Sequence, residues 1–176
     1  MDPIKLLEKY FDKNSRVYKS LIRHSREVLK KSIDLAEKVK DKNPDINFIK
    51  EAAILHDIGI SAVGTKLDSN QNKKPYIFHG ILGRKILEKE GLPLHALVAE
   101  RHVGSGINKK EALKLGLPAK DMLPKSIEEK IICFADKFSS KSPGKKDDIK
   151  SIEKEMASYG HNPHKRFLAL KKLFGY

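Results

Sequence analysis

Hydrophobic residues recur at helical spacing along most of the chain, with polar residues between them. In residues 15–39 the apolar positions broadly follow the three- and four-residue spacing of a helix with one buried face, at Val17, Leu21, Val28, Ile33, Leu35, Ala36 and Val39. Similar stripes predict helices over residues 80–90, 94–99 and 131–135, and two amphipathic helices after residue 148. We find no strand-like alternation, so the pattern predicts a chain made of helices.

Residues that commonly begin helices mark several boundaries. Asp2 followed by Pro3 predicts the start of a first helix. Asn108 and Ser126 are expected to cap two later helices, because their side chains can accept hydrogen bonds from the first backbone N–H groups. Gly91 is expected to end the helix over residues 80–90.

The apolar run at residues 52–55 predicts a helix that closes on the polar pair His56-Asp57. Asn47 is expected to cap its beginning and Gly59 to stop its end. A helix that ends on such a pair is a good platform for ligands. This pair is therefore the first candidate for a functional site.

Three polar segments predict irregular structure. Residues 64–75 are expected to form a long loop, residues 139–146 a linker, and residues 161–164 a loop before the last helix. The chain is about one domain long. We expect residues 1–140 to form that domain and residues 141–176 to be a helical cap packed on it, because two short helices do not fold alone.

Composition restricts the class of protein. Charged residues make up 34% of the 176 residues and hydrophobic residues 39%. No apolar stretch approaches the ~20 residues that span a membrane, and no secretory signal follows Met1. The single cysteine, Cys133, excludes an intramolecular disulfide, and its apolar neighbours predict a buried thiol. We expect a soluble cytoplasmic protein with no membrane partner.

The chain is strongly basic. Thirty-six lysines and arginines against 23 acidic residues give a net charge of +13 and a pI near 9.7. Such a charge attracts RNA and other polyanions. Lysine nevertheless alternates with glutamate along the chain, which is typical of a solvated helical exterior.

Histidine and aspartate residues stand at wide intervals on the predicted helices, at His24, His56, Asp57, His79, His102 and Asp136. Imidazole nitrogens and carboxylate oxygens in one pocket suit Mn, Fe, Co, Ni or Zn, with Mg as a further candidate, at a site of hydrolysis. A carboxylate on an apolar helix, as at Asp136, normally needs a cation or a hydrogen-bonding partner. The set predicts a metal site in the core.

Each histidine also has a plain structural interpretation. A single histidine on an apolar helix face is usually a core residue with its hydrogen bonds satisfied, and only the joint placement favours a metal site. His79 and His102 can serve a mononuclear protein as phosphate-binding groups or as partners of the ligands. The remaining histidines, His95, His161 and His164, are expected to be ordinary surface or capping residues.

The ordered set resembles the HD-domain superfamily of metal-dependent phosphohydrolases, and residues 56–59 match the HDIG form of its signature. The resemblance covers roughly residues 15–140. It implies an all-helical bundle with four basic metal ligands, His24, His56, Asp57 and Asp136. His79 and His102 match the extra histidines of binuclear members. In those relatives the aspartate of the pair bridges two metals, a role that the resemblance assigns to Asp57, so two ions are expected.

Departures from particular branches restrict the substrate. The branch that cleaves cyclic di-GMP carries a lysine shortly after the HD pair and a later Gly-Tyr-Pro motif, whereas Ile60 and Ser61 follow here and that motif is absent. Arg101 precedes His102 where several binuclear branches have paired histidines. The stretch at residues 101–106 is more similar to small HDIG hydrolases, some of which act on nucleotides.

The resemblance implies hydrolysis of a nucleotide or another phosphate ester or anhydride by a metal-activated water. Asp57 would hold the ions, and Arg101, Lys137 and Lys66 are the candidate cationic contacts to phosphate. Two alternatives remain open. One is a nucleic-acid-binding or RNA phosphate-processing module, and the other is a di-iron oxygenase. Neither the substrate, the metal nor the oligomeric state follows from the sequence.

Overall fold

The computed structural model describes residues 1–65, 74–139 and 148–176. Over these residues the chain forms nine α-helices and no β-strand, and the predicted all-α fold class is confirmed. In chain order the helices are α1 Pro3–Tyr10, α2 Arg16–Lys38, α3 Ile46–Leu55, α4 His79–Lys89, α5 Pro93–Arg101, α6 Lys109–Lys114, α7 Ile127–Asp136, α8 Ile149–Ser158 and α9 His161–Leu173. Short 3₁₀ helices span Lys40–Lys42, Ile58–Ala62 and Tyr76–Phe78.

Helix α2 is the longest element and packs against both α3 and α7. The Ser15 hydroxyl caps it by accepting a hydrogen bond from the Tyr18 N–H at 3.1 Å. Its apolar side chains at the predicted spacing, among them Leu21, Val28 and Leu35, are buried. The predicted helix over residues 15–39 is confirmed. His24 lies on this same buried face.

Three predicted caps are confirmed. The Asp2 carboxylate accepts from the Ile4 N–H at 3.0 Å, at the start of α1. Asn108 begins α6 through a reciprocal capping box with Glu111. The Ser126 side chain begins α7. Short polar side chains therefore set these boundaries locally, without help from the rest of the fold.

The predicted boundaries of α3 are wrong at both ends. Asp45, not Asn47, is the N-cap, and its carboxylate accepts from the Phe48 N–H at 2.9 Å. Asn47 lies within the first turn, where its side chain is not needed as a cap. The helix ends at Leu55, before Gly59, which lies inside the following 3₁₀ helix.

Gly59 is required for close packing instead. A Cβ atom at this position would lie 1.9 Å from the His79 carbonyl oxygen and 2.4 Å from the Gly83 backbone nitrogen. Only glycine permits the 3₁₀ helix that follows α3 to approach α4 so closely. The contact brings the His56-Asp57 pair beside the start of α4.

The last two helices share a hydrophobic core with α2, α3 and α7. The Phe134 ring of α7 stacks on Phe174 with centroids 5.1 Å apart and lies 5.5 Å from Phe167. Met156 of α8 is buried in the same cluster. Cys133 is fully buried, as predicted, and burial raises its pKa to about 12, so the thiol stays protonated.

The prediction of a loop at residues 161–164 is wrong. These residues form the first turn of α9, which Gly160 precedes with a φ of 110°. Pro163 fits there because the first turn of a helix needs no N–H donor from it. The two other predicted connections are the loop at residues 64–75 and the linker at residues 139–146. Most of both lies outside the described residues, which leave out 66–73 and 140–147.

No helix among the residues that the structure describes is long and apolar enough to cross a membrane.

Candidate metal centre

The six predicted site residues meet at the ends of helices in the core. His24 lies within α2, the pair His56-Asp57 directly follows α3, His79 begins α4, His102 follows α5, and Asp136 ends α7. His24, His56, Asp57, His79 and His102 are each at most 3% exposed. The side chain of Asp136 is 10% exposed. Five separate elements thus bring these groups into one buried cluster.

Four donor atoms form a first cluster. The His24 Nε2 lies 3.0 Å from the Asp136 Oδ1, 3.3 Å from the His56 Nε2 and 3.4 Å from the Asp57 Oδ2. The His56 Nε2 lies 3.5 Å from the Asp57 Oδ2 and 3.6 Å from the Asp136 Oδ1. Atoms bound to one ion at about 2.1 Å lie roughly 3.0–3.4 Å from one another. The first cluster therefore has the spacing of a ligand shell.

Three donor atoms form a second cluster beside it. The His79 Nε2 and the His102 Nε2 are 3.2 Å apart, and each lies 3.4 Å from the Asp57 Oδ1. Asp57 therefore belongs to both clusters, with Oδ2 in the first and Oδ1 in the second. A carboxylate in this position can bridge two ions.

Three of the imidazoles are held by a repeated local contact. The Nδ1 of each lies within hydrogen-bonding distance of the carbonyl oxygen three residues earlier: 2.8 Å for His56 to Ala53, 2.7 Å for His79 to Tyr76, and 2.8 Å for His102 to Ala99. A carbonyl accepts but does not donate, so the proton is on Nδ1 and the Nε2 lone pair is available for a metal.

His24 is held differently. Its Nδ1 lies 3.0 Å from the Ser139 Oγ, and the Ser139 hydroxyl donates to the Glu27 Oε2 at 2.6 Å. With that proton committed to Glu27, Ser139 accepts from the Nδ1–H of His24. Glu27 is not among the predicted site residues, and Ser139 was predicted to lie in a linker. The one available signal was spacing, since each lies three positions after a predicted ligand.

The two clusters differ electrostatically. Burial opposes ionisation of Asp136, but the charge of Lys137 and the hydrogen bond from His24 outweigh it and hold the pKa of Asp136 well below its usual range. Burial also lowers the pKa of His56, but the charges of Asp57 and Asp136 outweigh it, so its pKa is raised. At His102 burial dominates and lowers the pKa, which favours the neutral imidazole.

A cavity of about 510 Å³ opens beside the two clusters. His79, His102, Asp136 and Lys137 line one part of it. The Lys137 ammonium lies 2.7 Å from the Asp136 Oδ2. Lys137 thus places a positive charge at the cavity wall beside the clusters.

The other two predicted phosphate contacts are not among the described residues that line this cavity. Arg101 is not among the described lining residues, and its Nη1 donates to both carboxylate oxygens of Glu129 at 2.9 and 3.0 Å. Lys66 lies outside the described residues. Lys137 is therefore the predicted cation that the described structure places beside the clusters.

The three remaining histidines lie away from the clusters. His161 is exposed, and the His164 Nε2 lies 3.7 Å from the Glu153 Oε1. His95 was expected at the surface, which is wrong, because it is only 8% exposed. Its ring packs on Phe48 with centroids 4.6 Å apart, and its Nε2 lies 3.2 Å from the Glu51 Oε2, so both the ring and the polar nitrogen have a partner in this buried position.

All donor atoms in the two clusters are imidazole nitrogens or carboxylate oxygens. This set suits divalent first-row ions, whereas the described residues offer no thiolate to it. The four imidazoles are also oriented in advance by their hydrogen bonds to carbonyl and hydroxyl oxygens. The residues present therefore fit divalent metal ions.

Several known proteins are similar to this chain. An uncharacterized protein of Methanocaldococcus jannaschii is 35% identical over 170 residues, which are 91% of this chain and 94% of that protein. Proteins named tRNA (cytidine(56)-2'-O)-methyltransferase are 36% identical in Picrophilus torridus and 37% identical in Thermoplasma volcanium. These matches cover 87% and 66% of this chain but only 40% and 30% of the methyltransferases. No solved structure matches the chain significantly.

The profile of the HD domain matches residues 21–141, a segment that contains all six clustered residues. This segment is more than half of the 176 residues. The chain therefore belongs to the HD domain family.

Proposed function

We propose that this protein is a metal-dependent phosphohydrolase that cleaves a nucleotide or another small phosphate ester. The observation that supports this most is the sharing of Asp57 between two clusters of donor atoms, each with the spacing of a ligand shell. HD domains bind divalent metals, which agrees with that geometry. A pair of ions beside a cavity is a common arrangement for phosphoryl chemistry.

His24, His56, Asp57 and Asp136 would hold one ion, and Asp57, His79 and His102 a second. When bound, such ions lower the pKa of water and offset the charge that develops on phosphoryl oxygens. The side chains are preorganised for this role because each imidazole already has its Nδ1 proton committed elsewhere. Mn, Fe, Co, Ni, Zn and Mg remain candidates.

Lys137 would bind and orient the phosphate, since its ammonium lies at the cavity wall and contacts Asp136. The buried side of the clusters excludes water, as His56 and Asp57 are both 0% exposed. Solvent therefore reaches the clusters through the cavity, where the substrate also binds.

A hydrolysis panel tests this proposal. Nucleotides, dinucleoside polyphosphates, cyclic nucleotides and simple phosphoesters are incubated with Mn, Co, Ni, Fe or Mg, with Asp57→Ala as the inactive control. We expect metal-dependent hydrolysis of at least one compound, followed by the products that it forms, and the control should show none. Binding of metal without turnover of any compound in the panel would contradict the proposal.

A second candidate function, binding of RNA, is favoured by one surface. On α2, five basic residues are spaced alternately three and four positions apart, at Arg16, Lys19, Arg23, Arg26 and Lys30. Residues at this spacing lie along one face of a helix, over about 21 Å. All five are exposed or half-buried. Two relatives are also named tRNA methyltransferases, although this chain matches less than half of each.

The salt dependence of binding tests this candidate. If α2 binds RNA, the affinity for a tRNA should fall steeply with salt, and Lys19→Glu with Arg26→Glu should reduce the slope. Phosphate hydrolysis should not change in this double variant. An affinity that neither salt nor the substitutions alter would exclude the surface.

A further inference from the structure

The cavity beside the metal centre extends well beyond the space that a phosphate group needs. At one end lie His79, His102, Asp136 and Lys137. The walls beyond them are largely apolar and come from four parts of the chain, at Ile77, Val103, Ile107, Leu115, Met156 and Pro163. Its volume of about 510 Å³ lies in the range of sites for small organic ligands.

These walls are the wrong environment for a phosphate and the right one for an uncharged organic group. A phosphate buried against apolar side chains would lose its hydrating water and gain no hydrogen bonds in return. Val103 directly follows the ligand candidate His102, and Ile77 precedes His79 by only two residues. The apolar region therefore begins next to the metal centre, where the group attached to the bound phosphate would lie.

The same region offers flat aromatic surfaces. The Tyr76 ring lies 4.6 Å from the His79 ring, at the end of the cavity near the clusters. Tyr159, at the end of α8, also lines the cavity and is 59% exposed. Its hydroxyl donates to the Glu155 Oε1 at 2.7 Å, which holds the ring in place. Exposed rings on the wall of a cavity favour stacking of a planar ligand.

One wall of the cavity comes from helices outside the segment that matches the HD domain. Glu155, Met156, Tyr159 and Pro163 come from α8 and α9, after the segment 21–141 that matches the HD domain. The carboxylate of Glu155 also provides an oxygen that accepts hydrogen bonds from N–H groups. Residues outside the family segment therefore shape part of the cavity.

We propose that the cavity binds the nucleoside part of a nucleoside monophosphate, with its base packed against Tyr159 and Met156 of α8. The inference rests on the proposed function only for the location of the phosphate. A single phosphate fits because the apolar walls begin beside the clusters. Among the described lining residues, Lys137 and Lys114 are the cations, which is few for a polyphosphate chain.

The test measures binding apart from turnover. Adenosine, adenosine 5'-monophosphate and inorganic phosphate are titrated by calorimetry into the metal-loaded protein, with calcium replacing the active metal if hydrolysis interferes. Tyr159→Ala should weaken binding of the nucleoside and the nucleotide about tenfold, because stacking on the ring is lost. Inorganic phosphate should bind as it does to the wild type.

Two further variants make the test specific. Tyr159→Phe keeps the ring and should bind adenosine 5'-monophosphate within about twofold of the wild type, as stacking is retained. Leu168→Ala is the matched control, since Leu168 is 39% exposed on α9 and is not among the described lining residues. It should leave all three affinities unchanged.

Equal nucleotide affinity in Tyr159→Ala and the wild type would overturn the inference, as would an equal loss for inorganic phosphate. These results are distinguishable from failure of the proposed function. Hydrolysis that is insensitive to Tyr159 would leave the phosphohydrolase standing without this nucleoside site. Tyrosine-dependent binding without hydrolysis would support the nucleoside site while removing the enzymatic proposal.

Discussion

The two donor clusters share Asp57 but differ in composition and surroundings. The first combines two histidines with two carboxylates and has four donor atoms, whereas the second has two histidines and one carboxylate oxygen. His79 and His102 of the second line the cavity, and His24 and His56 of the first are not among its described lining residues. The first cluster is therefore suited to retain an ion, and the second to leave positions open for substrate.

The largest effect should come from the residue that the clusters share. Asp57→Ala removes one donor oxygen from each cluster at once, so metal content should fall to near zero and hydrolysis should fall on the order of a thousandfold. The protein should stay largely helical, with some change in stability. Elemental analysis and circular dichroism measure both.

Asp34→Ala is the control for this variant, because Asp34 is exposed on α2. It should keep its full metal content. Normal metal content in Asp57→Ala would contradict the shared carboxylate and with it the assignment of both clusters.

Substitution of one histidine from each cluster should separate the two ions. His79→Ala should lose one ion and retain the other, because the four donors of the first cluster remain. His24→Ala should instead weaken the binding of an ion at the first cluster. We expect hydrolysis to fall on the order of a hundredfold in His79→Ala.

The stoichiometry of metal per chain, measured by titration, decides this prediction. Loss of both ions in either single variant would show that the clusters do not bind independently. The contrast between a first cluster that retains its ion and a second cluster that leaves positions open for substrate would then no longer hold.

A smaller effect is expected from the contact that orients His24. Ser139→Ala removes the oxygen that accepts from the His24 Nδ1 and leaves that imidazole free to turn. Metal affinity of the first cluster should fall about 10- to 100-fold, as for other partners of ligating histidines. Competition with a chelator measures the affinity.

Glu27→Gln is the milder variant of the same contact, since it keeps the shape but weakens the acceptor for the Ser139 hydroxyl. Its effect should be in the same direction and smaller. Ser158→Ala, at an exposed position of α8, should leave affinity unchanged. If Ser139→Ala left the metal affinity unaltered, the hydrogen bond between His24 and Ser139 would not contribute to metal binding.

The smallest effect concerns the pH dependence of stability in the metal-free protein. Burial lowers the pKa of His56, yet Asp57 and Asp136 raise it overall. Its contribution is therefore fully present below the unfolded pKa of 6.5 and is lost as pH rises through the folded value. Burial lowers the pKa of His102, so its contribution is present above 6.5 and is lost as pH falls through the folded value.

Urea unfolding in a chelator at a series of pH values checks these opposite signs. In His56→Gln the free energy of unfolding should fall less steeply as pH rises. In His102→Gln it should fall less steeply as pH falls. If the free energy of unfolding depended on pH in the same way in both variants, His56 and His102 would not differ in the charge state that folding favours.

Much of this protein could be predicted from the sequence because helix periodicity and capping are local. The apolar spacing of residues 15–39 is a property of a single helix, and it placed His24 on the buried face. Asp2, Asn108 and Ser126 cap helices with their own side chains, within a few residues. At α3 the local signals competed, because Asp45 and Asn47 are both good caps and only one can begin the helix.

The resemblance to the HD domain depended on residues that the chain scatters widely, and the family match confirmed it. Their order is visible in the sequence, but their distances are not. Glu27 and Ser139 were missed because the hydrogen bond between them joins residues 112 positions apart. The ion pair of Arg101 with Glu129 was also invisible, since it depends on how α5 meets α7.

The sequence by itself determined the helices, the buried faces and the identity of the candidate ligands, because these follow from short-range periodicity and side-chain chemistry. Tertiary structure alone decided that Gly59 lets two elements touch, that Asp57 is shared by two clusters, and that α8 closes the cavity. The physical reason is that these features are contacts between helices. Their geometry is set by the packing of the whole core. No single segment of the sequence is enough to predict that packing.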